Sequence, residues 1–289
     1  MVRRLLCLFF FLNFANLSAV PKHYVSICAI FRDEDRFLKE WIEYHRMIGV
    51  EHFYLYNHLS EDNYYEVLRP YIKEGIVDLI EWPFQPKNHK DWIQNIQAGT
   101  YNKTLKERGE ENIWIAFIDT DEFIVMTKGS SLPKFLSDYE EFGGLAIHWQ
   151  LYGTSGVQRI PENKTMIGTL TKKATPKYHR NKWIKSIIQP KAVRKFTKVH
   201  CPDYKTSYFP VDEHTKRCSV SPYKKNISVD LIRINHYTDR DEDFFYNIKM
   251  PRRKNRNPVP PKPHPEYNAV EDPIMLQFIP ELEKRLLVV

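Results

Sequence analysis

The sequence predicts an α/β fold: a mainly parallel sheet with helices on both faces and an irregular C-terminal half. Three observations support this reading. Four short runs are rich in β-forming residues, the segments between them are helix-spaced, and the two alternate over about 95 residues. Such alternation requires right-handed crossovers, and ligands then bind beyond the carboxyl ends of the strands. The composition, 42% apolar, 27% charged and 14% aromatic over 289 residues, excludes a disordered, collagen-like or coiled-coil chain.

In chain order, Tyr24 to Ile30 is the first strand. Phe37, Leu38, Trp41, Ile42, His45 and Ile48 then share one face of a helix that Gly49 stops. His52 to Asn57 is the second strand, and Ser60 is the expected N-cap of a helix through Tyr71 that ends at Gly75. Ile76 to Glu81 is the third strand, Trp92 to Glu107 a helix, and Ile113 to Ile118 the fourth and most apolar strand. Short strands follow around Leu145–Trp149, Ser186–Gln189 and Leu231–Asn235. A Pro-rich stretch spans Pro258–Pro265, and a helix near Ile274–Leu287 closes the chain.

At the N-terminus, Arg3 and Arg4 precede the apolar run Leu5–Leu12 and a small-residue exit at Ala19. This is the layout of a signal peptide or signal anchor over residues 1–19, with membrane association through that segment. Asn102, Asn163 and Asn226 each begin a glycosylation acceptor pattern. Four cysteines exclude a disulfide scaffold, and none are spaced for a zinc cage. A Cys201–Cys218 bridge suits an oxidising lumen, with Cys28 as a buried strand residue.

Charge is unevenly spread. Residues 20–171 hold 16 basic and 23 acidic side chains, whereas residues 172–262 hold 23 basic and 8 acidic. A basic half opposite an acidic one implies an anionic ligand between them. Apart from Arg252-Arg253-Lys254, the basic residues are interspersed with apolar and aromatic ones. A phosphate-bearing small molecule therefore fits better than nucleic acid.

Asp119-Thr120-Asp121, followed by Glu122, ends the most apolar strand. Three carboxylates within four residues repel unless a cation neutralises them, and carboxylate oxygens suit Mn²⁺ or Mg²⁺. Phosphatases of the haloacid dehalogenase type also place D-x-D after a strand, but with Thr or Val where this chain has Phe123. Gly153-Thr154-Ser155-Gly156 lacks the spacing of a serine nucleophile elbow.

An ordered set of motifs resembles glycosyltransferase family 92 over roughly residues 24–250. It comprises the run from Cys28 to Asp35, Leu38–Trp41, Gly49–Asn57 with Ser60 and Asp62, and Phe117–Phe123. Trp149 with Tyr152–Gly156, Lys185–Pro190, His200 and Ile234–Tyr237 follow in the same order. The resemblance implies a GT-A-like, Rossmann-like fold over residues 20–289, with a nucleotide-binding half 20–125 and an acceptor half 126–289. It implies a UDP-sugar donor, often UDP-galactose, inversion at the anomeric carbon, and a glycan, glycoprotein or glycolipid acceptor.

Carried over residue by residue, Asp121 binds the cation with His236 as a distant ligand, and Asp119 contacts the donor ribose or the metal. Lys185 contacts the diphosphate, and Arg32, Asn57 and Asp62 lie on the nucleoside side. Asp212, Glu213, His148 and His200 remain candidates for the general base, with the Asp212–Glu213 carboxylates preferred. The compartment implied is the Golgi or ER lumen in a eukaryote, or the membrane or cytoplasm in a bacterium. A catalytically silent protein that binds a nucleotide or glycan is the alternative function.

Overall fold

The computed structural model describes residues 20–129, 131–253 and 262–288. Its parallel strands are β1 (His23–Phe31), β2 (His52–Asn57), β3 (Val77–Glu81) and β4 (Asn112–Phe117). They are joined through α1 (Asp35–Met47), α2 (Tyr64–Lys73) and α3 (Ala98–Arg108). Side chains alternate between two buried layers, as the pleat requires. Val25, Ile27, Phe53, Leu55, Trp114 and Ala116 meet the apolar face of α1, while Cys28, Tyr54, Tyr56, Ile115 and Phe117 meet Ala98 and Tyr101 of α3. Gly49 ends α1 with φ of +104°, and a Cβ there would stand 2.6 Å from Pro133 Cδ.

Strands from both halves join one sheet. β5 (Glu122–Met126), β6 (Gly144–Leu151), β7 (Ile184–Ile188) and β8 (Ile232–His236) extend it in the order β3-β2-β1-β4-β7-β6-β8-β5. β7 runs antiparallel to β4 and β6, so β6 and β8 run parallel to β4, and β5 pairs antiparallel with β8. β5 is absent from the sequence reading because its five residues directly follow the acidic turn. Ser60 is not an N-cap: α2 starts at Tyr64, and Ser60 Oγ accepts the Asp33 N–H at 3.0 Å. The expected helix from Trp92 is π-helical over Trp92–Gln97 before α3 begins, and the closing helix is 3₁₀ over Pro273–Phe278 before Ile279–Val288.

β5 is the far edge strand, and side chains of α1 satisfy its free backbone. Trp41 Nε1 donates to Glu122 O at 2.8 Å and Tyr44 Oη to Ile124 O at 2.9 Å. His45 Nδ1 lies 2.8 Å from Trp41 O, which makes it the donor, and Nε2 accepts the Ile124 N–H at 3.3 Å. Positions 41, 44 and 45 share one helix face, so a single stripe covers an edge that would otherwise be exposed or orphaned.

Cys28, Cys201 and Cys218 are free thiols; Cys201 and Cys218 pack in one small apolar cluster but are not bridged. Asn102 is committed to the backbone, its Oδ1 accepting from Phe196 N at 2.7 Å and its Nδ2 donating to Phe196 O at 2.9 Å. Asn163 and Asn226 are exposed. No helix among the described residues is long and apolar enough to cross a membrane. The expected signal segment and residues 258–261 of the Pro-rich stretch lie outside the described residues.

Burial pushes His45 down from its ordinary 6.5 to about 3, despite the hydrogen bond to Trp41 O. The unfolded chain then binds a proton that the folded chain refuses, so stability is expected to fall as pH drops from 6.5 toward 3. His45→Ala is expected to cost about 2–5 kcal/mol in urea unfolding and to flatten part of that acid limb.

Candidate active site

A cavity of about 340 Å³ opens over the carboxyl ends of the parallel strands β1, β4, β6 and β8. Phe31 ends β1 and Arg32 and Glu34 follow it, Asp119–Asp121 follow β4, Trp149 and Leu151 end β6, and His236 ends β8. His89, Trp92 and Gln97 enter from the π-helical segment and its lead-in, and Arg180, His200, Arg252 and Tyr267 also line it. Asp119 to Glu122 form a β-turn closed by Glu122 N donating to Asp119 O at 3.1 Å.

The turn presents two arms. In the first, Asp119 Oδ1 accepts from Gln97 Nε2 at 2.8 Å and Oδ2 pairs with Lys185 Nζ at 2.9 Å. Lys185, on β7, is fully buried and stands 3.5 Å from Glu122 Oε2. Burial alone would lower its pKa, but Asp119 and Glu122 hold it well above the lysine range. In the second arm, Asp121 Oδ1 faces His236 Nε2 at 3.3 Å without an aligned hydrogen bond. Burial would raise the Asp121 pKa, yet His236, Arg240 and Lys249 hold it well below the usual carboxylate range. His236 is shifted upward against its own burial by Asp121, Glu122 and Asp119.

Buried Arg240 and partly buried Arg252 lock the turn to the end of β1. Arg240 donates to Glu34 and, at 3.1 Å, to Thr120 O, with its guanidinium 4.1 Å from the Phe37 ring centroid. Arg252 pairs with Glu34 at 3.1 Å and donates to Arg32 O. His200 Nδ1 lies 2.9 Å from Ile184 O, and burial pushes the ring down to about 3, with Lys185 adding to the shift. It is therefore neutral at physiological pH and a weak base.

The family model described as glycosyltransferase family 92 matches residues 22–268. The chain belongs to glycosyltransferase family 92. A family 92 protein of Ricinus communis is 31% identical over 183 residues, 62% of this chain and 31% of the relative. One from Oryza sativa subsp. japonica is 31% identical over 175 residues, 59% of this chain and 28% of the relative. This family 92 chain thus spans less than a third of the length of these relatives. The solved structure of S. aureus TarS residues 1–349 in complex with UDP-GlcNAc superposes with a TM-score of 0.38 at 12% identity. That match covers 58% of this chain and 45% of TarS 1–349.

Of the residues expected on the nucleoside side of this family 92 chain, Arg32 lines the cleft and Asn57 and Asp62 do not. Asn57 bonds Glu81 and Ser60 N, and Asp62 accepts from Asp35 N and Tyr64 N, so both brace the neighbouring loops. Burial, with Asp35 and Asp33 nearby, pushes Asp62 up to about 6. Lys185 does not reach the cleft either: it braces Asp119 from below and is not placed for a diphosphate. Asp119 points to Gln97 and Lys185, so the three expected metal ligands are not one cluster; Asp121 and His236 are the pair brought together.

The preferred bases fall elsewhere. Asp212 Oδ1 caps a turn at His214 N and Lys216 N. Glu213 is buried, accepting from Ser228 Oγ and from the backbone of Asp230, Leu231 and Ile232. Neither lines the cleft, and His148 is also absent from its lining. Glu34 lies within the Cys28–Asp35 run, whereas Gln97, Arg240 and Arg180 carry no sequence signal of their own and are drawn in by the fold.

Lys185→Met keeps the stem but leaves Asp119 and Glu122 facing each other without their cation. Urea unfolding is expected to show a loss of about 3–5 kcal/mol. Part of that loss should be recovered as pH is lowered, because burial pushes Glu122 up to about 7 and so favours its protonated form in the folded state.

Proposed function

We propose that this chain is a metal-dependent transferase that moves a sugar from a UDP-sugar to a hydroxyl of a glycan or glycoconjugate acceptor, with inversion. Galactose is the first donor sugar to test. The observation that carries the reading is one cleft, beyond parallel strand ends, holding the Asp121–His236 pair together with Arg32, Arg180 and Arg252. Family membership supports the same class of reaction.

Arg32 from the β1 side and Arg180 from the opposite half offset the charge of a diphosphate, while Arg252 is tied to Glu34. A carboxylate oxygen and an imidazole nitrogen suit Mn²⁺, and Asp121 Oδ1 is buried without a hydrogen bond. Asp121 and His236 would hold the ion, whose charge would offset that developing on the leaving diphosphate. Asp119, engaged on both oxygens, is a fixed hydrogen-bond acceptor and not a free nucleophile; Glu34 is tied to two arginines. Among the described residues of the cleft, no carboxylate other than Asp121, which is given to the ion, thus stands loose for a covalent intermediate, which supports a single displacement. Trp92 and Trp149 give the cleft apolar walls suited to a sugar face. The N-terminal pattern supports a secretory location and membrane association.

The test is release of UDP from a panel of UDP-sugars by the full chain with Mn²⁺, repeated in EDTA. Release from one donor, lost in EDTA, is the expected result. Asp121→Asn is expected to lower kcat/KM by about 100-fold or more with circular dichroism unchanged. Turnover of no donor, or an undiminished Asp121→Asn variant, overturns the reading.

A further inference from the structure

Glu122 stands between the two arms of the site. Its side chain is buried; Oε2 accepts from Asp119 N at 2.9 Å and lies 3.5 Å from Lys185 Nζ. Oε1 faces His236 Nδ1 at 3.8 Å, and both of these buried atoms lack any hydrogen-bond partner. The other ring nitrogen of His236, Nε2, faces Asp121 Oδ1. Trp149, whose ring packs on His236 at 4.5 Å between centroids, offers no acceptor to Nδ1.

An imidazole that gives Nε2 to a cation must carry its proton on Nδ1. A carboxylate opposite Nδ1 fixes that tautomer and makes the ligand nitrogen more basic. We propose that Glu122 is a positioning residue, holding the Nδ1–H of His236 so that Nε2 presents its lone pair beside Asp121 to a divalent cation. The inference rests on the metal-dependent reading above and adds the residue that orients the ligand. Lys185 lies against the other oxygen and offsets part of the cost of burying this side chain.

The geometry separates this role from simple support. Trp41 bonds the backbone oxygen of residue 122, a contact that a side-chain substitution leaves in place. In Glu122→Gln the amide oxygen continues to accept from Asp119 N, while the NH₂ turns toward His236 Nδ1. That nitrogen must then accept, the ring proton moves to Nε2, and the lone pair is withdrawn from the cation site.

The experiment measures the Mn²⁺ Kd of the full chain by calorimetry for wild type, Glu122→Gln, His236→Gln and the double variant, with thermal melts to check folding. Glu122→Gln is expected to weaken Mn²⁺ binding about 10–100-fold. His236→Gln should weaken it comparably, and the double variant no further than His236→Gln alone, the signature of action through one residue. If Glu122→Gln does not fold, Glu122→Asp keeps the charge opposite Lys185 while withdrawing the carboxylate from Nδ1, and the same loss is expected. Undiminished binding by the Glu122 variant, or losses that add in the double variant, overturn the inference while leaving metal dependence intact. A wild-type chain that binds no Mn²⁺ overturns both.

Discussion

The connection from β4 to β5 is too short for the path that the sheet order would give it. Three strands lie between them, and four interstrand steps of about 4.8 Å amount to roughly 19 Å. The chain has only Ile118 and a β-turn whose ends lie within about 7 Å, reaching roughly 14 Å in all. The sheet must therefore curl until its far edge returns beside β4. That curl brings the end of β8, and with it His236, against the turn that follows β4. It also delivers β5 to the apolar face of α1, where Trp41, Tyr44 and His45 take up its unpaired backbone groups.

Curling concentrates negative charge. Asp119, Asp121 and Glu122 converge with Glu34 at one end of the sheet, and in a low-dielectric interior their repulsion would be severe. Each is faced by a basic side chain from a sequence-distant element: Lys185 for Asp119 and Glu122, His236 for Asp121, Arg240 and Arg252 for Glu34. The basic second half of the chain is thus partly consumed as internal counter-charge, and only part of it is left for a ligand. This explains why Lys185, so plausible as a phosphate contact in the sequence, is found beneath the site. An ammonium held between Asp119 and the buried Glu122 carboxylate is not free to reach outward.

Much of the parallel half was legible because strands buried on both faces, helix-spaced stripes and glycine stops are local signals. The D-x-D turn and His236 were legible through the ordered family motifs. β5 was not, since Glu122–Met126 reads as the tail of an acidic turn until β8 is available to pair with it. Asp212 and Glu213 misled for a related reason. An acidic pair in a basic region looks available, whereas Glu213 is spent on three backbone N–H groups at the start of β8. Gln97 was invisible because a regular helix gives no warning of the π-helical turn that precedes α3.

The hydrogen bonds from α1 to β5 all end on main-chain atoms. The side-chain contact lies at the residue between, where the Phe123 ring packs on Tyr44 and His45, so these hydrogen bonds would be made in the same way by many different residues at 122 and 124. Architecture and chemistry are written on separate atoms of one short segment. At position 122 the carbonyl belongs to the framework and the carboxylate to the site, so one can vary over evolutionary time without forcing change in the other.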